Sequence, residues 1–191
     1  MSSIATPDWS TLPAPEDDGA ANHLSGLHLP SVPLPATDGA TIDLRTLPGL
    51  TVVYAYPRTG RPGEPNPDGW EAIPGARGCT PQTCAFRDHF ADLQSLGVHD
   101  LYGLSTQDTA YQRELAERLH LPFPILSDEK LALTRALRLP TFQTHGMTLL
   151  KRLALILRDG VIEHVFYPVY PPDQNAADVV AWLNEGKESS A

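Results

Sequence analysis

Eight residues, LTVVYAYP from Leu50 to Pro57, constrain this chain more than any other stretch. The run is β-branched and aromatic, carries no charge, and is closed by a proline. Apolar residues on both alternating faces fit a strand covered on both sides, not one with a wet face. The rest of the chain must therefore supply two apolar layers. Downstream it does so by alternating helical and strand periods. Phe86, Phe90, Leu93 and Leu96 recur at helical spacing until Gly97 ends the run. VHDLYGLST reads as the next strand. DTAYQRELAERLHL reads as an amphipathic helix with Asp108 as its N-cap. FPILSD is a short strand and EKLALTRALRL a short helix. MTLLKRLALILRDGVIEHVFYPV predicts two strands joined by an Arg158-Asp159-Gly160 turn. DQNAADVVAWLNEG predicts a closing helix, capped by Asp173 and stopped near Gly186.

Upstream, LHLPSVPLPATDGATIDL alternates around Thr37-Asp38-Gly39 and predicts a hairpin. The order β-β-β-α-β-α-β-α-β-β-α implies an α/β domain: a central mixed β-sheet, helices on both faces, and an N-terminal hairpin. Its expected bounds are residues 25–186. Residues 1–24, rich in Pro, Asp, Ala and Ser, read as an extended surface arm, and residues 187–191 as a tail. One stretch breaks the pattern. RTGRPGEPNPDGWEAIPGARG, which follows Pro57, holds five glycines and four prolines and has no period. A loop of that length inside a compact chain is uncommon and tends to be functional. A tolerated surface insertion over residues 58–76 is the alternative.

Charge narrows the function classes. Asp and Glu number 23 against 14 Lys and Arg, a net charge of -9. An acidic surface repels phosphate, so neither nucleic acid nor an anionic membrane is an expected partner. No apolar run approaches the ~20 residues of a membrane helix. Residues Met1 to Asp18 lack a basic segment followed by an apolar one, so a cytoplasmic address is expected, where thiols stay reduced unless chemistry oxidises them.

Against that background the cysteines stand out. The chain has two, Cys79 and Cys84, in PGARGCTPQTCAF. The spacing places both at one helix start, after a strand and a loop, where reactive groups gather in α/β sheets. Unpaired N–H groups and the positive end of the helix dipole favour a thiolate there, and Pro81 suits the first turn. Five residues along an intact helix separate the Cα atoms by roughly 8.6 Å, beyond the ~7 Å limit of a disulfide. The offset favours a switch over a permanent bridge: one thiol reacts, the first turns unwind, and the second captures the product. The competing reading makes both cysteines small buried hydrophobes. A metal site is not expected, because two thiols so offset do not readily share one tetrahedral ion and the seven histidines are scattered.

From YAYP, GCTPQTCAFRD, LYGLST, FPILSD and KRLALILRDGVIEHVF, spread over Ser25 to Asn184, the chain resembles peroxiredoxins of the bacterioferritin comigratory protein (peroxiredoxin Q) branch. The resemblance implies a thioredoxin-like fold that reduces hydrogen peroxide and organic hydroperoxides without a cofactor. It implies Cys79 as the peroxidatic cysteine, Cys84 as the resolving cysteine, and an intramolecular disulfide recycled by thioredoxin or a similar dithiol. It also implies Arg152 as the cation that holds thiolate and peroxide, and a monomer or weak homodimer. Pro57, Thr59, Arg77 and Gly78 are the expected substrate-binding positions. The family pattern departs here: Ala76 stands where a threonine is usual, three residues before Cys79. Pro57 and Thr59 look like the start of that motif, displaced by the insertion. Thr59 reaches the sulfur if the insertion loops out and returns; otherwise Thr80 or a backbone N–H serves. Arg77 either adds a second charge near the sulfur or points to solvent. Gln82 stands where relatives often carry Glu. Two rivals use the same cysteines. A thiol–disulfide oxidoreductase normally has a two-residue spacer, and a redox-sensing interaction protein would consume peroxide slowly.

Overall fold

The computed structural model describes residues 7–189. Nine strands and five helices carry the fold among them: β1 (Pro33–Pro35), β2 (Thr41–Asp43), β3 (Leu50–Ala55), α1 (Cys79–Asp88), α2 (Phe90–Ser95), β4 (Val98–Ser105), α3 (Thr109–Arg118), β5 (Ile125–Ser127), α4 (Ala132–Leu137), β6 (Thr141–Thr144), β7 (Met147–Leu150), β8 (Leu153–Arg158), β9 (Val161–Phe166) and α5 (Asn175–Glu188). The central sheet has five strands in the order β5-β4-β3-β8-β9. β3 runs parallel to β4, and β4 to β5, while β8 pairs antiparallel to β3 and to β9. This is the mixed sheet expected from the sequence.

β3 is buried at every residue, and its alternation sorts two cores. Val52, Tyr54 and Tyr56 face one layer with Phe86 of α1, Leu93 of α2, Leu115 of α3 and Val179 of α5. Val53 and Ala55 face the other, with Leu133 and Leu137 of α4, Leu34 of the β1–β2 hairpin and Leu24 of the N-terminal segment. β8 repeats the alternation: Ala154 and Ile156 join the first layer, Leu153, Leu155 and Leu157 the second. Helices therefore cover both faces, four on one side and α4 with the hairpin on the other.

Several sequence expectations change in detail. The helix read from Phe86 to Leu96 is two, α1 and α2, broken at His89, whose backbone (φ -93°, ψ 7°) caps one and opens the other. MTLLKRLALILR is not one strand. β7 ends at Leu150 and hairpins back onto β6, which the sequence reading missed, and Lys151-Arg152 link it to β8. Asp108 does cap α3, accepting from the Tyr111 N–H at 2.7 Å. Asp173 does not cap α5: the helix follows a single turn at Pro172–Gln174 and takes Gln174 at its N-cap. The helix ends at Glu188, two residues past Gly186, near which the sequence placed its stop. Residues 1–6 of the expected arm and 190–191 of the expected tail lie outside the described residues. What is described of the arm is not wholly superficial, because Leu24 is fully buried.

The Gly/Pro-rich insertion has a core of its own. Trp70, at 4% exposure, packs with Ala76 and Leu149, flanked by Ile73, Phe142 and Met147. The β6–β7 hairpin is thus the platform on which the insertion rests. Lacking any period, the insertion hides this from a pattern reading: one tryptophan anchors it.

Candidate active site

The antiparallel pairing of β8 with β3 brings three chain segments to one end of the sheet. Ala55 pairs with Leu104 in parallel and with Leu153 in antiparallel register. The residue before Leu153 is Arg152, which therefore starts its strand where β3 and β4 finish theirs. α1 begins at the same end. Gly78 precedes it with φ 109°, a left-handed conformation that glycine adopts without strain. Any side chain is also barred there: a Cβ would fall 2.5 Å from Pro172 Cγ and 2.9 Å from Trp9 Cη2. The helix start is wedged between the N-terminal arm and the segment entering α5.

Cys79, at 4% exposure, is the first residue of α1. Its Sγ lies 3.6 Å from the Ala76 carbonyl and accepts from Arg152 Nη2 at 3.3 Å. Arg152 is equally buried. The same Nη2 is shared with the carbonyls of Gly75 (3.2 Å), Ala76 (3.3 Å) and Arg77 (3.2 Å), while Nη1 donates to Gln82 Oε1. Gln82 in turn donates from Nε2 to Asn175 Oδ1 at 2.9 Å. Apart from the sulfur, every partner of the guanidinium is a neutral amide or carbonyl oxygen. Among the described residues no carboxylate pairs with it, so its charge is left for an anion at the sulfur position. Gln82, standing where relatives often carry Glu, preserves that by accepting without a charge. Burial holds the Tyr56 phenol well above its ordinary value, with the Cys79 sulfur adding to the shift, and Tyr54 behaves alike. Both tyrosines stay neutral beside the sulfur.

Cys79 opens into a cavity of about 300 Å³ lined also by Arg58, Thr59, Arg77, Gly78 and Thr80. Thr59, as the displaced-motif reading required, has returned to the site. Its hydroxyl, however, donates to Gln107 Oε1 (3.3 Å), and its backbone N–H donates to the same atom at 2.9 Å. Gln107 and not the sulfur holds it. Arg77 pairs with Glu71, so its side chain is engaged and only its carbonyl serves Arg152. Pro57 lines a separate cavity of about 430 Å³ that reaches Arg152 from the other side, with Phe142, Lys151 and Tyr167. Among the described residues no group of three or more His, Cys, Asp or Glu is placed to hold a metal ion.

Cys84 sits in α1 five residues from Cys79, half-buried, and both thiols are free. Burial pushes the Cys84 thiol up, and Arg87 opposes the shift in part. α1 is continuous from one cysteine to the other, so the ~8.6 Å separation of an intact helix applies. Sequence reasoning missed the Arg152–Gln82–Asn175 chain. It also missed the clasp by the arm, where the Tyr170 hydroxyl donates to the carbonyls of Trp9 and Leu12, and where Lys151 and Tyr167 both bind Asp18. Trp9 in a proline-rich arm was the one available signal, since a ring of that size usually finds cover.

A thioredoxin-like sheet with a buried cysteine–arginine pair at a helix start defines a class, and comparison with known proteins identifies it. The redoxin family model matches residues 24–181. The chain belongs to that family and, within it, to the peroxiredoxins of the bacterioferritin comigratory protein/peroxiredoxin Q type. It is similar to Peroxiredoxin Bcp of Escherichia coli (strain K12), 32% identical over 162 residues, which cover 82% of this chain and 92% of that protein. It is also similar to the chloroplastic Peroxiredoxin Q of Triticum aestivum, 26% identical over 152 residues and 79% of this chain. It spans 62% of the length of that wheat protein and 65% of its rice counterpart. Among solved structures, Peroxidoxin BcpB from Mycobacterium tuberculosis superposes with a TM-score of 0.68 at 22% identity, covering 85% of this chain and 98% of the other. Peroxiredoxin Q of Xanthomonas campestris gives 0.66 at 22% identity, covering 83% and 96%. The thioredoxin-like fold is therefore shared.

Proposed function

We propose that the protein is a thiol peroxidase that reduces hydrogen peroxide and organic hydroperoxides. The observation that carries this reading is the buried, carboxylate-free guanidinium of Arg152, 3.3 Å from Cys79 Sγ. In a buried setting such a donor stabilises an anion far more than it would in water, without having to reorganise. The Cys79 thiolate attacks the terminal peroxide oxygen. The O–O bond breaks as the S–O bond forms, and the alkoxide leaves, taking a proton to become alcohol or water. Cys79 becomes a sulfenic acid. Arg152 faces the charge as it moves from sulfur to leaving oxygen, while Gln82 and Asn175 fix the guanidinium.

Resolution follows once the first turns of α1 open. The Cys84 sulfur displaces the sulfenic hydroxyl as water, forming the Cys79–Cys84 disulfide, and a dithiol of the thioredoxin type reduces it. The Xanthomonas relative supports the first half, since its solved structures concern alkyl peroxide reduction activity. Thr59 and Gly78 shape the substrate cavity in this reading, and Pro57 the neighbouring one. Arg77 contributes its carbonyl to the positioning of Arg152. The four-residue spacer favours this reading over a thiol–disulfide oxidoreductase.

Stopped-flow mixing of the reduced protein with peroxide, followed by mass mapping of the product, tests the proposal. One equivalent of peroxide should give one Cys79–Cys84 cross-link within seconds; a peroxide-inert thiol would end it. A cytoplasmic address and a monomer or weak homodimer belong to the same proposal. No described helix is long and apolar enough to cross a membrane, while the plant relatives are chloroplastic by name. Cell fractionation and sedimentation check the two points.

A further inference from the structure

The chain is strongly acidic, yet the cavity in front of Cys79 is lined by three arginines, Arg58, Arg77 and Arg118, and by no Asp or Glu. Two of them are paired with carboxylates behind the wall. Arg77 binds Glu71, and Arg118 binds Glu114 at 2.7 Å and the Gly60 carbonyl at 3.3 Å. Arg58 is different. Its guanidinium lies over the Trp70 ring, 5.7 Å from the centroid, and its Nη1 is buried with no hydrogen-bond partner. No carboxylate pairs with it among the described residues.

Next to it in the insertion, Arg61 repeats the arrangement. It lies 4.2 Å from the Tyr111 ring centroid, and its Nε is buried and unpartnered. Glu64 is reached by the Tyr111 hydroxyl at 3.4 Å, and Asp108 and Glu129 line a neighbouring cavity with Arg58 and Tyr111 without pairing with either arginine. Aromatic faces thus hold two cations that an acidic protein had ample carboxylate to neutralise. A ring face holds a guanidinium's charge without using up its N–H donors, which remain available to oxygens. Hydrogen peroxide and simple alkyl hydroperoxides are neutral and offer such an edge no charge to pair with.

We propose that Arg58 receives a carboxylate on the substrate, and that small carboxylate-bearing hydroperoxides are the favoured substrates of this site. The inference rests on the peroxidase reading and narrows it. At about 300 Å³ the cavity is at the lower end for ligand pockets, which suits a short acid better than a long apolar tail. The chemistry is unchanged: the terminal oxygen passes to Cys79, the O–O bond breaks, and the alkoxide takes a proton to leave as a hydroxy acid. The carboxylate stays intact and remote from the reacting atoms.

The test is a series of ω-hydroperoxy carboxylic acids of two to six carbons, each against its primary amide, which is similar in size and uncharged. Second-order rate constants for Cys79 oxidation are read by stopped flow. The acid-to-amide ratio should exceed one and peak at one chain length at about tenfold, the size of one charge-assisted hydrogen bond in a partly open pocket. It should fall as salt is added and collapse toward one in Arg58→Gln. A wild-type ratio of one or less across the series overturns the proposal, and that measurement needs no variant. A ratio that survives Arg58→Gln overturns the assignment to Arg58. Failure of the peroxidase reading shows separately, because then neither hydrogen peroxide nor any amide oxidises Cys79.

Discussion

The two ends of α1 are built to opposite specifications. At the first, Cys79 is sealed to 4% exposure, bound by Arg152, and backed by the Gln82–Asn175 bond and the Gly78 wedge. At the second, Cys84 is half-buried, and burial pushes its thiol toward the neutral form. One sulfur is held against a buried guanidinium, the other where burial disfavours a charge. The same helix keeps the two sulfurs apart, and its continuity enforces the separation. A cycle that ends in a disulfide must dismantle the tightly held end, because that is where the first turns lie. In the proposed cycle, the rate of the second chemical step then depends on the strength of contacts that serve the first.

Four measurements break or sharpen this contrast. The largest effect is expected from the cysteines. Cys79→Ser should reduce peroxide consumption to background, while Cys84→Ser should allow a single oxidation and then stall with a dithiol reductant. Equal loss in both variants would erase the distinction between the two ends. Next, Arg152→Met should slow Cys79 oxidation by about 10²–10³-fold, the usual effect of removing one preorganised donor at a developing charge; near-normal stopped-flow rates would release Arg152 from the site.

Smaller is the effect of Asn175→Ala. It leaves Gln82 Nε2 buried and unpaired, a loss of about 1–3 kcal/mol in unfolding free energy. Because the helix start then opens more readily, disulfide closure should accelerate several-fold while the first oxidation changes less. Chemical denaturation and mass mapping over time measure both. Smallest is a pH effect. Since burial raises the Cys84 thiol, the thiolate that closes the disulfide accumulates only above the ordinary thiol range. Closure should keep accelerating with pH past the point where a free thiol levels off. The folded state's preference for the neutral thiol is complete below that range and fades as pH rises through the elevated value. Alkali should therefore loosen α1 as it speeds closure, and hydrogen exchange across residues 79–88 would show it.

Legibility in the sequence divides along the same lines. The strand Leu50–Ala55, the helix start at Cys79 and the Asp159-Gly160 turn were readable because each is a local pattern: an apolar run, a loop-to-helix junction, a turn dipeptide. The position of Arg152 was readable only through resemblance. The structure supplies its reason, the register that places Leu153 opposite Ala55. The β6–β7 hairpin escaped because MTLLKRLALILR reads as one apolar strand, and the break at Lys151-Arg152 is made by tertiary contacts to Asp18, Gln82 and Cys79. The Gln82–Asn175 bond joins residues 93 positions apart, and no window of sequence contains it. Thr59 lines the cavity of Cys79, yet its hydroxyl goes to Gln107, a partner that periodicity cannot name.

The clasp made by the N-terminal arm bears on how the protein is best handled in the laboratory. Pro7 lines the cavity in front of Cys79, and Trp9 presses on Gly78. A substitution at either residue reshapes the entrance to the pocket. Rate constants for Cys79 oxidation taken on a chain with the arm intact report the pocket as it is built; those taken with Pro7 or Trp9 altered report the arm as well.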